Sequence, residues 1–381
     1  MPAAASRAPQ RFAIVASYAP SLINFRFQLL KDIRAAGHAV LCLAPDFDKA
    51  VVAELTAAGF ETAPIPLQRT GLNPLADVAT VKALTAKFRA WKPDVVTGYT
   101  PKAAIYSAIA GRAAGVPRRV PMVTGLGYAF LKSRSPKIVA VRQVTKMLYR
   151  RAFRAATGAI FQNKDDLAQL EGLKLLPKGL PISIVGGSGV DMEQFAARPL
   201  PPLDDGLTFL LIARLVRYKG IFEYCEAARM LALQGKRARF LLVGPTEGGP
   251  AGFSAAELEH YKDDVTYLGP KDDVRPLIKE AHVYVLPSYG EGMPRTVLEA
   301  LSIGRPIVTT NANGCRDTVD EGVNGFMVPV ADATALATAM ARFIDEPRLL
   351  APMADASRAK CTRQFDVRVV NNGTRRALGL D

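Results

Sequence analysis

The sequence predicts an α/β fold of two doubly wound parallel-sheet domains facing each other across a cleft. Three observations carry this. Short apolar runs alternate with helix-length segments, the rhythm of a parallel sheet covered on both faces. The rhythm breaks once, at the Pro- and acid-rich stretch "ARPLPPLDDG" (197–206), and then restarts. The 381 residues suffice for two domains of ordinary size, each with its own core.

In chain order, "RFAIVAS" (11–17) reads as a strand and 24–36 as a helix. "AVLCLAP" (39–45), a helix near 49–58 and "ETAPIPL" (61–67) follow. Helix 75–90 leads into "DVVTGYT" (94–100), and helix 101–114 into "RVPMVTG" (119–125). A basic helix comes next, then "GAIFQN" (158–163) and "PISIVGG" (181–187). After the Pro-rich stretch, "LTFLLIAR" (207–214) is a strand and 219–234 a helix. "ARFLLVGP" (238–245), "VTYLG" (265–269), "HVYVLPS" (282–288), "RPIVTT" (305–310) and "GFMVPV" (325–330) are later strands. Each half is thus Rossmann-like, with domains at 1–190 and 191–381 and the Pro-rich stretch as linker. The segment from 347 on is helical in character, and its last helix is placed to return to the first domain. Ligands of such sheets bind beyond the carboxyl ends of the strands.

Composition narrows the class. At 49% apolar and 22% charged residues the chain is globular. No apolar run approaches the roughly 18 to 20 residues that span a bilayer. The opening "MPAAASRAPQ" lacks the apolar core of a signal peptide and reads as a frayed tail. Cys42, Cys225, Cys315 and Cys361 are scattered without C-x-x-C spacing. That suits a reducing, cytoplasmic compartment and argues against zinc or a disulfide framework.

The net charge of +14 is unevenly placed. Residues 1–190 hold 26 Lys and Arg against 10 Asp and Glu; the remainder is close to neutral. The densest part, "KSRSPKIVAVRQVTKMLYRRAFR" (132–154), has eight basic residues and no acid. Arg142, Lys146, Arg150 and Arg154 recur every four residues, one stripe on a helix, while Val141, Val144 and Leu148 line another face. Such a stripe is a solvated helix face, a surface that docks on anionic lipid, or a nucleic-acid contact. No nucleic-acid module accompanies it, whereas several cations together can hold a protein at an anionic leaflet. A peripheral position at the inner face of the cell membrane is therefore expected, without a nucleic-acid partner.

The groups that carry chemistry lie in the second half. Arg214 and Lys219, in "ARLVRYKG", follow a strand end and stand beside a helix start, which makes an anion site. In "SYGEGMPRTVLEALS" (288–302), Pro294 fits the first helical turn. The N–H groups of Gly292, Met293, Arg295 and Thr296 are expected to point out of the helix N-terminus. Glu291 lies before that helix and Glu299 over a turn into it. Two carboxylates that accept hydroxyl hydrogen bonds, on either side of an anion site, suit a nucleotide sugar: sugar, diphosphate, ribose.

"SYGEGMPRTVLEA" resembles the E-x7-E motif of retaining GT-B glycosyltransferases of family 4. "ARLVRYKG" is similar to their Arg…Lys diphosphate site, and "GGSGVDMEQF" (186–195) to the loop that opens their second domain. The resemblance implies that Glu299 holds the ribose hydroxyls. It implies that Glu291, with the backbone at Gly292, Met293 and Pro294, holds the donor sugar, and that Arg214 and Lys219 neutralise the leaving diphosphate. With those two cations present no metal is needed, so no cofactor is expected beyond the UDP-sugar donor.

In the first half, "SLINFR" (21–26), "RTGLNPL" (69–75) and "VTGLGYAF" (123–130) resemble a bacterial subgroup of that family acting on lipid-linked sugars. The implied reaction moves a HexNAc from UDP onto a polyprenyl-diphosphate-linked sugar. Asn24, Arg26, Gly125, Gly127 and Tyr128 are the candidate acceptor contacts, although a plain helix start and a tight turn account for the same residues. A soluble acceptor, another lipid acceptor, or a sugar-nucleotide 2-epimerase of the same architecture stay open. Many family members carry a His near Thr124. None of His38, His260 and His282 matches it. "PDFD" (45–48) is a D-x-D far from the other site groups and reads as incidental.

Overall fold

In the computed structural model, which describes residues 8–68, 71, 73–127, 130, 136–204, 206–249 and 251–381, every pairing between the strands named below is parallel. The chain divides into two units, residues 1–188 with 370–381, and residues 189–369.

The first unit alternates β1 (Arg11–Val15), α1 (Pro20–Ala35), β2 (Ala39–Ala44), α2 (Lys49–Ala57), β3 (Glu61–Pro64), α3 (Pro74–Trp91), β4 (Val95–Gly98) and α4 (Pro101–Ala113). It continues with β5 (Arg118–Arg119), β6 (Met122–Val123), α5 (Pro136–Ala155), β7 (Ala159–Phe161), α6 (Lys164–Gly172) and β8 (Ile182–Ile184). The main sheet runs β3-β2-β1-β4-β5, so the strand order reverses between β1 and β4, and a second sheet runs β6-β7-β8. Because successive side chains of a strand point to opposite faces, the unit has two apolar layers. Ala13, Val15, Leu41 and Leu43 belong to one. Phe12, Ile14, Val40 and Cys42 belong to the other. Helix starts follow local chemistry: Asp48, Asn73 and Asn163 each accept a backbone N–H from three residues on, and Pro20, Pro74 and Pro101 stand in first turns. Asp48 of the D-x-D is thus the cap of α2, bonded by Val51 N–H at 2.8 Å.

The second unit contains β9 (Leu207–Ile212), α7 (Ile221–Leu233), β10 (Ala238–Val243), α8 (Ala255–His260), β11 (Thr266–Tyr267), α9 (Arg275–Glu280), β12 (Val283–Leu286) and α10 (Arg295–Ile303). Then come β13 (Ile307–Thr310), β14 (Gly325–Val328), α11 (Ala333–Asp345) and α12 (Leu350–Gln364). Its sheet runs β11-β10-β9-β12-β13-β14. The same alternation sorts Phe209, Leu211, Phe240 and Leu242 to one face and Leu210, Ile212, Leu241 and Val243 to the other.

Helix α13 (Val367–Leu378) begins in the second unit and ends in the first. Val370, Leu378 and Leu380 are buried in the layer that holds Phe12 and Ile14. Asn371 Nδ2 donates to Asp32 at 2.7 Å, and Arg118 donates to the Ala377 carbonyl at 2.9 Å.

Three expectations change. The linker 197–206 lies inside the second unit rather than between units. Arg305, fully buried, donates to the carbonyls of Arg198 and Pro199 there, as well as to those of Ile278, Lys279 and Gly304. The strand expected at 119–125 is two short strands in different sheets, because Pro121 cannot donate to a ladder and the chain changes sheet at that point. The first helix begins at Pro20, four residues earlier than the apolar period suggests. Among the described residues no helix is long and apolar enough to cross a membrane.

Candidate active site

The loops beyond β9, β12 and β13 are bolted together. After β9 the chain makes a 3-10 turn at Arg217–Lys219 and enters α7 through Gly220, whose φ is +74°. A Cβ there would lie 2.1 Å from the Pro287 carbonyl, so only glycine lets α7 start so close to the end of β12. Tyr289 N–H donates to the Tyr218 carbonyl at 2.8 Å. Lys219 forms an ion pair with Glu291, with side chains 17% and 15% exposed. Ser288 Oγ donates to the same Glu291 oxygen at 2.8 Å. From below, Glu291 N–H donates to the Asn313 carbonyl at 2.9 Å. Gly314 passes so close that a Cβ would meet the Glu291 carbonyl at 2.4 Å.

Arg214 is ion-paired with Glu247 from the loop after β10, and donates to Tyr218 OH at 2.7 Å. Each predicted cation therefore has a carboxylate partner, Glu247 or Glu291. A diphosphate carries more charge than either carboxylate and competes with both for the cations. Glu299 is 8% exposed and accepts from Arg295 Nε at 3.1 Å. Burial pushes its carboxyl above the usual range, and the Arg295 charge and hydrogen bond pull it partly back. Pro294 is the N-cap of α10 rather than its first helical residue, and no side chain caps that end. Val297 and Leu298 N–H groups return to the Pro294 carbonyl, so the N–H groups that carry the dipole outward start at Arg295 and Thr296. Gly292 and Met293 lie in the loop just ahead of it.

Arg214, Lys219 and Glu291 thus share one hydrogen-bonded cluster at the carboxyl end of the sheet, while Glu299 pairs with Arg295 within α10. Several of its members carry no sequence signal of their own. Glu223, 5% exposed in the first turn of α7, accepts from Tyr289 OH at 2.6 Å. Alone, it reads as an acid near a helix N-terminus. Tyr218, Glu247 and Gly314 were likewise missed; only the glycine at 314, two residues before a polar turn, gave any hint.

In the first unit the candidate acceptor contacts differ in exposure. Asn24 is exposed on the first turns of α1. Arg26 is 4% exposed, with its guanidinium 5.1 Å from the centroid of the Tyr99 ring. Gly125 and Gly127 have φ of +121° and +72°, conformations that favour glycine in the turn after β6. Tyr128 lies outside the described residues. His38 and His282 are buried, and each accepts a backbone N–H at Nδ1, from Gln10 and Thr208, at 3.0 Å. His260 is exposed at the end of α8, beside Arg229.

Residues 26–179 match the family described as "Glycosyl transferase 4-like domain", and residues 206–346 match "Glycosyl transferases group 1". The two matches cover both units and the whole second-unit cluster. The chain is a glycosyltransferase, with a 4-like domain followed by a group 1 domain. This glycosyltransferase is 26% identical over 372 residues to a Campylobacter jejuni "N,N'-diacetylbacillosaminyl-diphospho-undecaprenol alpha-1,3-N-acetylgalactosaminyltransferase", covering 94% of this chain and 96% of that one. It is 27% identical over 320 residues to an Escherichia coli "UDP-Gal:alpha-D-GlcNAc-diphosphoundecaprenol alpha-1,3-galactosyltransferase", covering 80% and 79%. The structure of Anabaena Alr3699/HepE in complex with UDP superposes with a TM-score of 0.76 over 97% of this chain and 99% of that one, at 19% identity. At that identity the likeness speaks for the fold, and the fold is GT-B.

Proposed function

We propose that this glycosyltransferase is a retaining enzyme that moves a HexNAc from a UDP donor onto a polyprenyl-diphosphate-linked sugar in bacterial glycan assembly, working at an anionic membrane surface. The observation that carries the reading is the joining of Arg214, Lys219 and Glu291 through Tyr218 and Ser288 into one cluster beyond the strand ends. The near full-length likeness to two transferases whose names specify undecaprenol-diphosphate sugars supports the acceptor class.

In this reading Glu299 accepts hydrogen bonds from the ribose hydroxyls. The diphosphate displaces Glu247 and Glu291 from Arg214 and Lys219. Glu291, released, accepts from a hydroxyl of the donor sugar. The bond from the anomeric carbon to the diphosphate oxygen breaks while the acceptor hydroxyl oxygen bonds to the same face of that carbon. The acceptor proton passes to the departing diphosphate oxygen, whose charge Arg214 and Lys219 stabilise without a metal. Incubation with labelled UDP-sugars and an undecaprenyl-diphosphate-linked N-acetylhexosamine, with and without EDTA, tests this. Transfer that persists in EDTA is expected. Isomerised UDP-sugar without acceptor consumption would instead indicate an epimerase.

A further inference from the structure

The first unit holds a backbone outlier at the point where its strand order reverses. Thr100, the first residue after Tyr99 beyond β4, has φ +70° and ψ +151°. That region is essentially reserved for glycine, and for a β-branched residue it is strained. The following Pro101 accounts for the extended ψ but not for the positive φ. Strain of this kind persists where the surroundings over-determine it, and β1/β4 is the switch point beyond which doubly wound sheets bind ligands.

What holds Thr100 is a small set of hydroxyls. Its N–H donates to Thr124 Oγ1 at 3.3 Å, and its own Oγ1 donates to Ser17 Oγ at 2.8 Å. Ser17 is buried just beyond β1, while Thr100 and Thr124 are half-buried. The proton accounting is informative. Thr100 has spent its proton on Ser17, so its oxygen offers lone pairs. Thr124 has accepted an N–H, so its own proton is left to donate. The pair therefore presents one acceptor and one donor side by side. A phosphate oxygen accepts only, and matches half of this; a sugar hydroxyl donates and accepts, and matches both.

We infer that Thr100 and Thr124 bind a hydroxyl of the acceptor saccharide, with Ser17 as the residue that orients Thr100. This rests on the reading of the first unit as the acceptor side of a glycosyltransferase, and assigns the strained turn to substrate recognition.

The test compares the full chain with Thr124→Val, Thr100→Gly, Thr100→Ser and Ser17→Ala, using UDP-N-acetylhexosamine and undecaprenyl-diphosphate-linked N-acetylhexosamine. Loss of one neutral hydrogen bond predicts that Thr124→Val and Thr100→Gly raise the acceptor KM about 3- to 10-fold, with a smaller change in the donor KM. Thr100→Gly relieves the strain, so its Tm stays level or rises while acceptor recognition weakens. Thr100→Ser restores the acceptor KM, and Ser17→Ala raises it without altering UDP affinity. An acceptor KM within twofold of wild type in both Thr124→Val and Thr100→Gly overturns the inference, and so does a donor KM that rises as much as the acceptor KM. A wild-type chain that consumes UDP-sugar but transfers nothing to the lipid-linked saccharide sinks the acceptor reading itself, and this inference with it.

Discussion

Lys219 and Glu291 form an ion pair that ties the turn after β9 to the loop after β12. Both side chains are mostly enclosed, so removing either partner leaves the other's charge poorly solvated. Lys219 in the proposed chemistry stabilises the departing diphosphate, and Glu291 contacts the sugar. Lys219→Ala and Arg214→Ala are each expected to lower kcat/KM by roughly 10- to 150-fold, the range for one charged contact of about 1.5–3 kcal/mol. The Lys219→Ala/Glu291→Ala double variant should lose less than the product of the single losses, because the two groups act as a unit. Steady-state kinetics on the wild type, the three single variants and the double variant checks this; turnover left intact in both Lys219→Ala and Arg214→Ala would refute the assignment.

Glu299 offers a separation of binding from stability. Burial raises its pKa, so the ionised carboxylate costs the folded state free energy at neutral pH, and protonation at lower pH removes that cost. Glu299→Gln is therefore expected to keep or raise Tm at pH 7. The same change weakens UDP binding, by about 10-fold or more if a charged hydrogen bond to ribose is lost. Calorimetric titration with UDP and a thermal melt on one preparation read both effects. Glu291→Ala, in contrast, should mainly slow transfer.

Arg305 is fully buried and makes five hydrogen bonds, all to carbonyls. Burial pulls its pKa down to about 10, which leaves it charged at neutral pH. Lysine cannot reproduce the planar fork. Arg305→Lys should cost about 3 kcal/mol or more through several orphaned carbonyls and a poorly solvated ammonium. Urea unfolding measures it; a loss below about 1 kcal/mol would contradict this account.

The buried histidines set a pH dependence. Burial lowers the pKa of His38, helped by the Arg375 charge, and burial likewise lowers that of His282. The unfolded chain takes up these protons near pH 6.5 and the folded chain resists them. Their contribution to stability is then complete above about pH 6.5 and is lost as pH falls toward the folded values. The urea midpoint should fall between pH 7.5 and 5.5, and less steeply in His38→Gln/His282→Gln. An unchanged slope in that double variant would remove the histidines from the explanation.

Helix α5 carries the membrane expectation. Arg150, Arg151 and Arg154 are exposed, as are Val144 and Met147 on the same helix. At about 1 kcal/mol per cation near an anionic leaflet, Arg150→Gln/Arg151→Gln/Arg154→Gln should lower low-salt partition onto anionic vesicles by roughly 100-fold. Equal sedimentation of the unaltered chain with anionic and neutral vesicles would remove the membrane from the proposal.

Much of this architecture was legible because it is periodic. The alternation of Phe12, Ala13, Ile14 and Val15 between two apolar layers is a local pattern, and so is the spacing of Glu291 and Glu299. What was illegible depends on distant partners. The Pro-rich stretch read as a linker because its composition is that of one, and nothing near it announces that Arg305 reaches its carbonyls. Arg26 reads as a helix-start cation, and nothing near it in sequence announces the Tyr99 ring against it. Tyr289 and Glu223 are 66 positions apart and carry no pattern joining them. Thr100 sits in an ordinary strand–Thr–Pro–helix context, and its φ belongs to the tertiary structure alone.

The return of α13 to the first unit also sets an order of assembly. During synthesis Val370, Leu378 and Leu380 emerge from the ribosome only after the whole of residues 189–369. Until then the layer around Phe12 and Ile14 is missing part of its cover. The unit made first is thus the one finished last, and a nascent chain stalled short of Val370 would present that gap to chaperones while its second unit has every residue it needs.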